Sequence, residues 1–157
     1  MPPPNLELVL EVRVQVGVPI ELGTVGRGRR RIVPILGGTS EGGAGYRDLL
    51  NGRVLAGGAD WQLIRSDGSA YLDARYTLET DDGALIYVKN KGYRHGSKEV
   101  IERLARGEEI DPSQYYMRTA PWFETSAAKY AWLNRTVCVG TGARRSDCVE
   151  LEFHEVK

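Results

Sequence analysis

Apolar and polar residues alternate with a period of two along most of this chain. From position 6 to 16, Leu6, Leu8, Leu10, Val12, Val14 and Val16 share one face. Glu7, Glu11, Arg13 and Gln15 share the other, with Val9 the exception. Successive side chains of an extended strand point to opposite faces, so this pattern predicts a half-buried β-strand. Residues 16–23 contain Pro19 and predict a bend. Further strands are predicted over 28–38, 52–58 and 60–66, the last closed by an Asp67-Gly68 hairpin turn. Over 70–80, Leu72, Ala74, Tyr76 and Leu78 form an apolar face against Tyr71, Asp73, Arg75, Thr77 and Glu79. Asp81-Asp82-Gly83 then turns the chain into a strand over 84–92. Three more are predicted over 114–125, broken by Pro121, over 129–140, and over 148–156.

One segment departs from this period. Ser97 is placed to cap a helix near 98–106. Val100, Ile101, Leu104 and Ala105 would form its apolar stripe, and Gly107 stands where a helix C-terminus calls for glycine. Nine strand segments joined mostly by short turns predict an all-β chain. A sheet of that length best removes its exposed edges by closing. The expected architecture is a single antiparallel β-barrel with one short helix that plugs or flanks an end, spanning 6–157 after a flexible tail over 1–5.

Composition narrows the function classes. The chain has 157 residues, enough to bury one core, and 21 Lys+Arg against 21 Asp+Glu. Zero net charge argues against a dedicated nucleic-acid binder. No apolar run approaches the roughly 20 residues of a membrane helix. The first residues lack a basic and then apolar leader pattern, so a cytoplasmic protein is expected. Cys138 and Cys148 flank a turn centred on residue 143 and would face each other across a regular hairpin. A disulfide could form there, but in a reducing compartment two buried or half-buried thiols are the plainer reading.

Familiar catalytic motifs fail on their own terms. Gly23, Gly26 and Gly28 do not have the dinucleotide-binding order, and residues 37–45 lack the lysine of a phosphate loop. His95, placed in a loop, and His154 are the only histidines, with no C-x-x-C pair, so neither metal nor cofactor is expected. Arg27, Arg29, Arg30 and Arg31 make either an anion site or a solvated strand edge. The stretch Gly57-Gly58-Ala59-Asp60-Trp61 places a double glycine, an acid and a large ring at a strand start. Asp60 is either a turn cap or an acid held inside the barrel, where desolvation would suit it to proton transfer. Asp73 and Arg75 share a face and would pair outside the barrel or line a pocket. So would Tyr116 with Arg118, and Trp132 with Tyr130 and Asn134. Aromatic, guanidinium and amide groups together suit an oxygenated organic ligand, or else a satisfied polar network.

Five ordered blocks, at 26–38, 54–68, 72–96, 116–125 and 130–145, resemble the bacterial and fungal family known as domain of unknown function 3237. The resemblance covers roughly residues 6 to 156. It implies a small antiparallel barrel of eight to ten strands and a homo-oligomer, but no established activity. The segment 41–52 looks longer than the family's usual link. Two functions stand open. One is an enzyme performing isomerisation, cyclisation, hydration or elimination on a small oxygenated, aromatic or polyketide-like molecule. Asp60 would be its acid or base. Arg75 and Arg118 would hold an oxyanion, Trp61, Tyr76, Tyr116 and Trp132 would contact the ligand, and Asn134 would orient it. The other is a carrier or sensor barrel that binds such a ligand unchanged. A barrel with a filled interior would be neither.

Overall fold

The computed structural model describes residues 1–157. Ten strands form one sheet: β1 (Leu6–Val16), β2 (Ile20–Val25), β3 (Gly28–Gly42), β4 (Gly52–Val54), β5 (Ala59–Ile64), β6 (Ala70–Thr80), β7 (Leu85–Gly96), β8 (Tyr115–Glu124), β9 (Cys138–Arg144) and β10 (Cys148–Val156). The order β1-β10-β9-β8-β7-β6-β4-β3 returns to β1 through an antiparallel β1–β3 pairing, so eight strands close a barrel. β5 continues the wall beside β4 by pairing with both β3 and β6, and β2 hangs from β3 alone. The fold is therefore the expected all-β antiparallel barrel.

Its two ends are covered differently. Helix α1 (Lys98–Ala105) lies over one end. Ser97 caps it, its side chain accepting the Val100 N–H at 3.3 Å, and Val100 and Leu104 are its buried residues. The far end is sealed by the turns of residues 43–51, with Leu50 buried, and by a 3-10 helix over Ala128–Arg135 that buries Tyr130 and Leu133. Beneath them Leu10, Leu78, Ile86, Phe123 and Phe153 fill the barrel. The Phe123 and Phe153 rings meet edge to face at 5.9 Å. Each such buried side chain contributes about 1.5–3 kcal/mol.

Several sequence expectations are corrected here. Val9 breaks the alternation of β1 because it is a bulge. Leu8 pairs with His154 and Leu10 with Phe153, so Val9 is the extra residue, and the strand changes phase with both Val9 and Leu10 buried. β2 occupies part of the segment for which Pro19 predicts a bend. β8 runs unbroken through Pro121. β9 pairs with β8 only at Arg118 and Thr119, so one side of β8 is free at the proline. His95 belongs to β7, paired with Tyr116, and not to a loop. Residues 128–135 are helical rather than extended. Tyr130 and Leu133 stand three apart, which is one 3-10 turn, and this brings both onto the buried side. Cys138 and Cys148 do not face each other. Val149 pairs with Arg144 and Glu155 with Cys138, so the turn is centred between 146 and 147, and both thiols are free and buried.

A cavity with one acid and three unpaired guanidinium groups

The half of the barrel nearest α1 is not filled. It encloses a cavity of about 360 Å³, lined on different sides by β1, β3, β5, β6, β7, β8, β9 and β10 and roofed by Ile101, Leu104 and Ala105 of the helix. A filled interior is therefore ruled out. A wider groove of about 610 Å³ crosses the outer face of β1, β9 and β10. Two of its arginines, Arg13 and Arg145, are neutralised by Glu150, at 3.3 and 2.8 Å, so the unusual chemistry lies inside.

Asp60 is the only carboxylate lining the cavity. The double glycine before it explains its position. Gly57 has φ +106°, which favours glycine, and at Gly58 a side chain would strike Arg75 and Tyr76 of β6. The chain thus passes hard against β6 and enters β5 with Asp60, Gln62 and Ile64 facing inward. Asp60 Oδ2 accepts a hydrogen bond from Gln62 Nε2 at 2.6 Å, and Gln62 Oε1 accepts one from Arg31 Nε at 2.8 Å. This chain of donors fixes which way the amide faces. Asp60 Oδ1 accepts the backbone N–H of Asp73 at 2.9 Å. Around this contact Trp61 and Gln62 drop out of the β5–β6 pairing, which is regular on either side. Burial pushes the Asp60 carboxyl above its ordinary value, against the pull of these hydrogen bonds and of Arg94 and Arg31.

Five arginines face this single acid: Arg29, Arg31, Arg94, Arg106 and Arg144. Two are neutralised at the rim, Arg29 by Glu21 at 2.9 Å and Arg106 by Glu108 at 2.8 Å. Arg31, Arg94 and Arg144 form no ion pair; Arg31 bonds Gln62, and Arg144 Nη1 donates to the Cys148 carbonyl at 2.9 Å. Arg94 is 8 % exposed, and its Nε has no partner. Burial, reinforced by Arg31, lowers its guanidinium to about 10, so it stays cationic at neutral pH. Burial lowers Arg31 and Arg144 as well. Below Arg94 the cavity holds further unpartnered polar atoms: Tyr76 hydroxyl, Asn90 Oδ1 and Thr119 hydroxyl, on side chains no more than 7 % exposed. Each buried polar atom left unpaired costs about 1–3 kcal/mol, so these groups call for a partner inside the cavity, water or ligand.

Of the residues singled out from the sequence, the structure brings Asp60 and Tyr76 into the cavity and leaves six outside it. Trp61 is adjacent to Asp60 and therefore points outward, with Arg75 over its ring at 5.8 Å. Arg75 is held by Asp73 at 3.3 Å on that outer face. Tyr116 stacks on His95 at 4.7 Å, and the exposed Arg118 lies over the Tyr116 ring. Trp132 stacks on Tyr46 at 5.2 Å at the sealed end. Asn134 clamps Thr125, accepting its N–H at 2.8 Å and donating to its carbonyl at 2.9 Å. The residues missed were Gln62, Asn90, Arg94, Thr119 and Arg144. Arg31 lay within the arginine run noted above, and only it points inward without an ion pair. Asn90 and Arg94 did carry a signal, since they continue the phase of Ile86 and Val88.

Comparison with known proteins finds relatives along nearly the whole chain. The family model described as "Protein of unknown function (DUF3237)" matches residues 4–156. A UPF0311 protein of Rhodopseudomonas palustris is 43% identical over 155 residues, 98% of each chain. The crystal structure of a β-barrel-like protein from Acinetobacter baumannii is 48% identical, covers 100% of this chain and 98% of its own, and superposes with a TM-score of 0.84. A crystal structure described as an enzyme from Penicillium herquei is 24% identical, covers 100% and 97%, and has a TM-score of 0.72, a likeness of fold.

Proposed function

Since the chain belongs to the DUF3237 family of proteins of unknown function, membership brings a fold and no reaction, and we propose from the chemistry of the cavity that the protein binds a small oxygenated organic anion and performs acid–base chemistry on it. The observation that carries this reading is the charge imbalance of the lining: Arg31, Arg94 and Arg144 without ion pairs against Asp60 alone. A carboxylate or enolate relieves that repulsion, and guanidinium forks bind such groups with charge-assisted hydrogen bonds. A cavity of about 360 Å³ suits a small molecule and no polymer. Asp60, held above the usual carboxylate range by burial, is the group that takes or returns a proton. The guanidinium groups stabilise the oxyanion formed when a proton leaves carbon next to a carbonyl. Next to a carbonyl, isomerisation, elimination of water and aldol-type cyclisation pass through such a step, and conjugate addition of water forms the same oxyanion before carbon takes a proton. The occurrence of this fold in an enzyme of Penicillium herquei agrees with a catalytic use.

The test is proton exchange in D2O. The protein is incubated with a panel of small oxo- and hydroxy-carboxylates, and loss of C–H signals is followed by NMR. Wild type should exchange at least one member of the panel, and Asp60→Asn should slow that exchange by about 100-fold or more while still binding it. Binding without exchange in both proteins would instead assign a carrier. Each oxygen of Asp60 already accepts one hydrogen bond, which is the observation favouring that second reading.

A further inference from the structure

The unpartnered atoms are arranged in depth, and the strand register fixes the order. On β7 Arg94 stands nearer the α1 end and Asn90 four residues deeper, about 13 Å along the strand at roughly 3.3 Å per residue. Thr119 pairs with Gly92 between them, and Tyr76 pairs with Val88 below. Asp60 pairs with Ala74, and Ala74 with Asn90, so the carboxyl and the amide flank a methyl group across two strand spacings, about 10 Å. Ala74 leaves the space between them open to a bound molecule.

These groups demand a particular partner at the deep end. Asn90 Oδ1 is an acceptor and needs a hydrogen from the ligand. A carbonyl or methyl group cannot supply one. An ammonium could, but it would be repelled by Arg94 and Arg31. A hydroxyl donates to Asn90 and still accepts from Tyr76 or Thr119, and it serves either orientation of the amide. Resting on the anion-binding reading above, we infer that the ligand is a hydroxylated carboxylic acid. Its carboxylate lies against Arg94 and its neighbours, and its hydroxyl lies at Asn90, with Asp60 facing that deeper end from across Ala74.

Three rigid probes test this by titration against the full chain: 2-naphthoate, 6-hydroxy-2-naphthoate and 6-hydroxy-2-naphthamide. The hydroxy acid should bind at least about ten-fold tighter than the parent acid, the worth of one buried hydrogen bond. That ratio should collapse to about one in Asn90→Leu, and should fall in the milder Tyr76→Phe, which guards against a folding defect in the first variant. Equal affinity of the two acids in wild type, with both weakened by Arg94→Met, would overturn the hydroxyl inference and leave the anion reading intact. If the acids bind no tighter than the amide and Arg94→Met changes nothing, both readings fall.

Discussion

The same strands build both halves of this barrel, yet the halves are opposites. Going along β6 from its sealed end, the inward residues are Leu78, Tyr76, Ala74, Leu72 and Ala70; along β7 they run from Ile86 and Val88 to Asn90 and Arg94. At the sealed end side chains such as Phe153, Ile86 and Leu78 are at most 1 % exposed, and the buried hydroxyls there have partners: Tyr130 donates to Asp82 at 2.9 Å, Thr80 also donates to Asp82, and Ser40 donates to the Leu50 carbonyl at 3.0 Å. At the α1 end the small Ala74 and Ala70 of β6 face the polar Asn90 and Arg94 of β7, and several polar atoms have no partner. Close packing and satisfied polar groups stabilise; unpaired cations do not. One half therefore holds the fold while the other is left energetically incomplete for a ligand.

Substitutions can separate the halves. The largest effect belongs to the sealed end. Phe153→Ala should cost about 3–5 kcal/mol in urea unfolding, since the ring is fully buried and the cavity cannot collapse beside Phe123. Arg94→Met inverts that pattern. Binding of organic anions should weaken about 10- to 100-fold, while unfolding free energy should rise by on the order of 1 kcal/mol, because an unpaired buried charge is replaced by an apolar chain of similar length. A loss of stability in that variant would mean the upper half also holds the fold.

Smaller still is the pH effect of Asp60. Its folded value lies above the ordinary 3.8, so its contribution to stability is fully present below that value and is lost as pH rises through the folded one. The urea midpoint of wild type should therefore fall relative to Asp60→Asn over that interval and then run parallel. The smallest effect is expected outside. Arg75→Ala removes an exposed pair with Asp73 and should change stability by less than about 0.5 kcal/mol and anion binding not at all.

Much of the barrel was legible because a two-residue period is forced by strand geometry. β1, β6 and α1 stand almost where the pattern put them. The failures have separate physical origins. Val9 shifted a phase through a bulge, which alternation registers only as an exception. Residues 128–135 carry both a loose two-residue and a three-residue spacing, and burial of Tyr130 and Leu133 selected the second. The site was harder. Asp60 was found from the glycines that place it, but Trp61 beside it could not share its cavity. Arg75, Tyr116 and Arg118 have the right chemistry on the wrong parity, and a barrel with a polar interior lacks the apolar contrast that shows which parity faces inward. For β7 that contrast existed at its lower end, where Ile86 and Val88 set the phase for Asn90 and Arg94.

The hydrogen bond from the Asp73 amide to Asp60 makes the backbone itself an indicator dye for the hidden acid. That N–H is spent on a carboxylate oxygen, so its resonance must move when the carboxylate gains a proton or a ligand crowds it. A single cross-peak in an amide spectrum then reports the charge state at the centre of the barrel. It does so with no reporter group attached and no knowledge of the substrate, and a compound that shifts it in wild type but not in Asp60→Asn has reached the cavity.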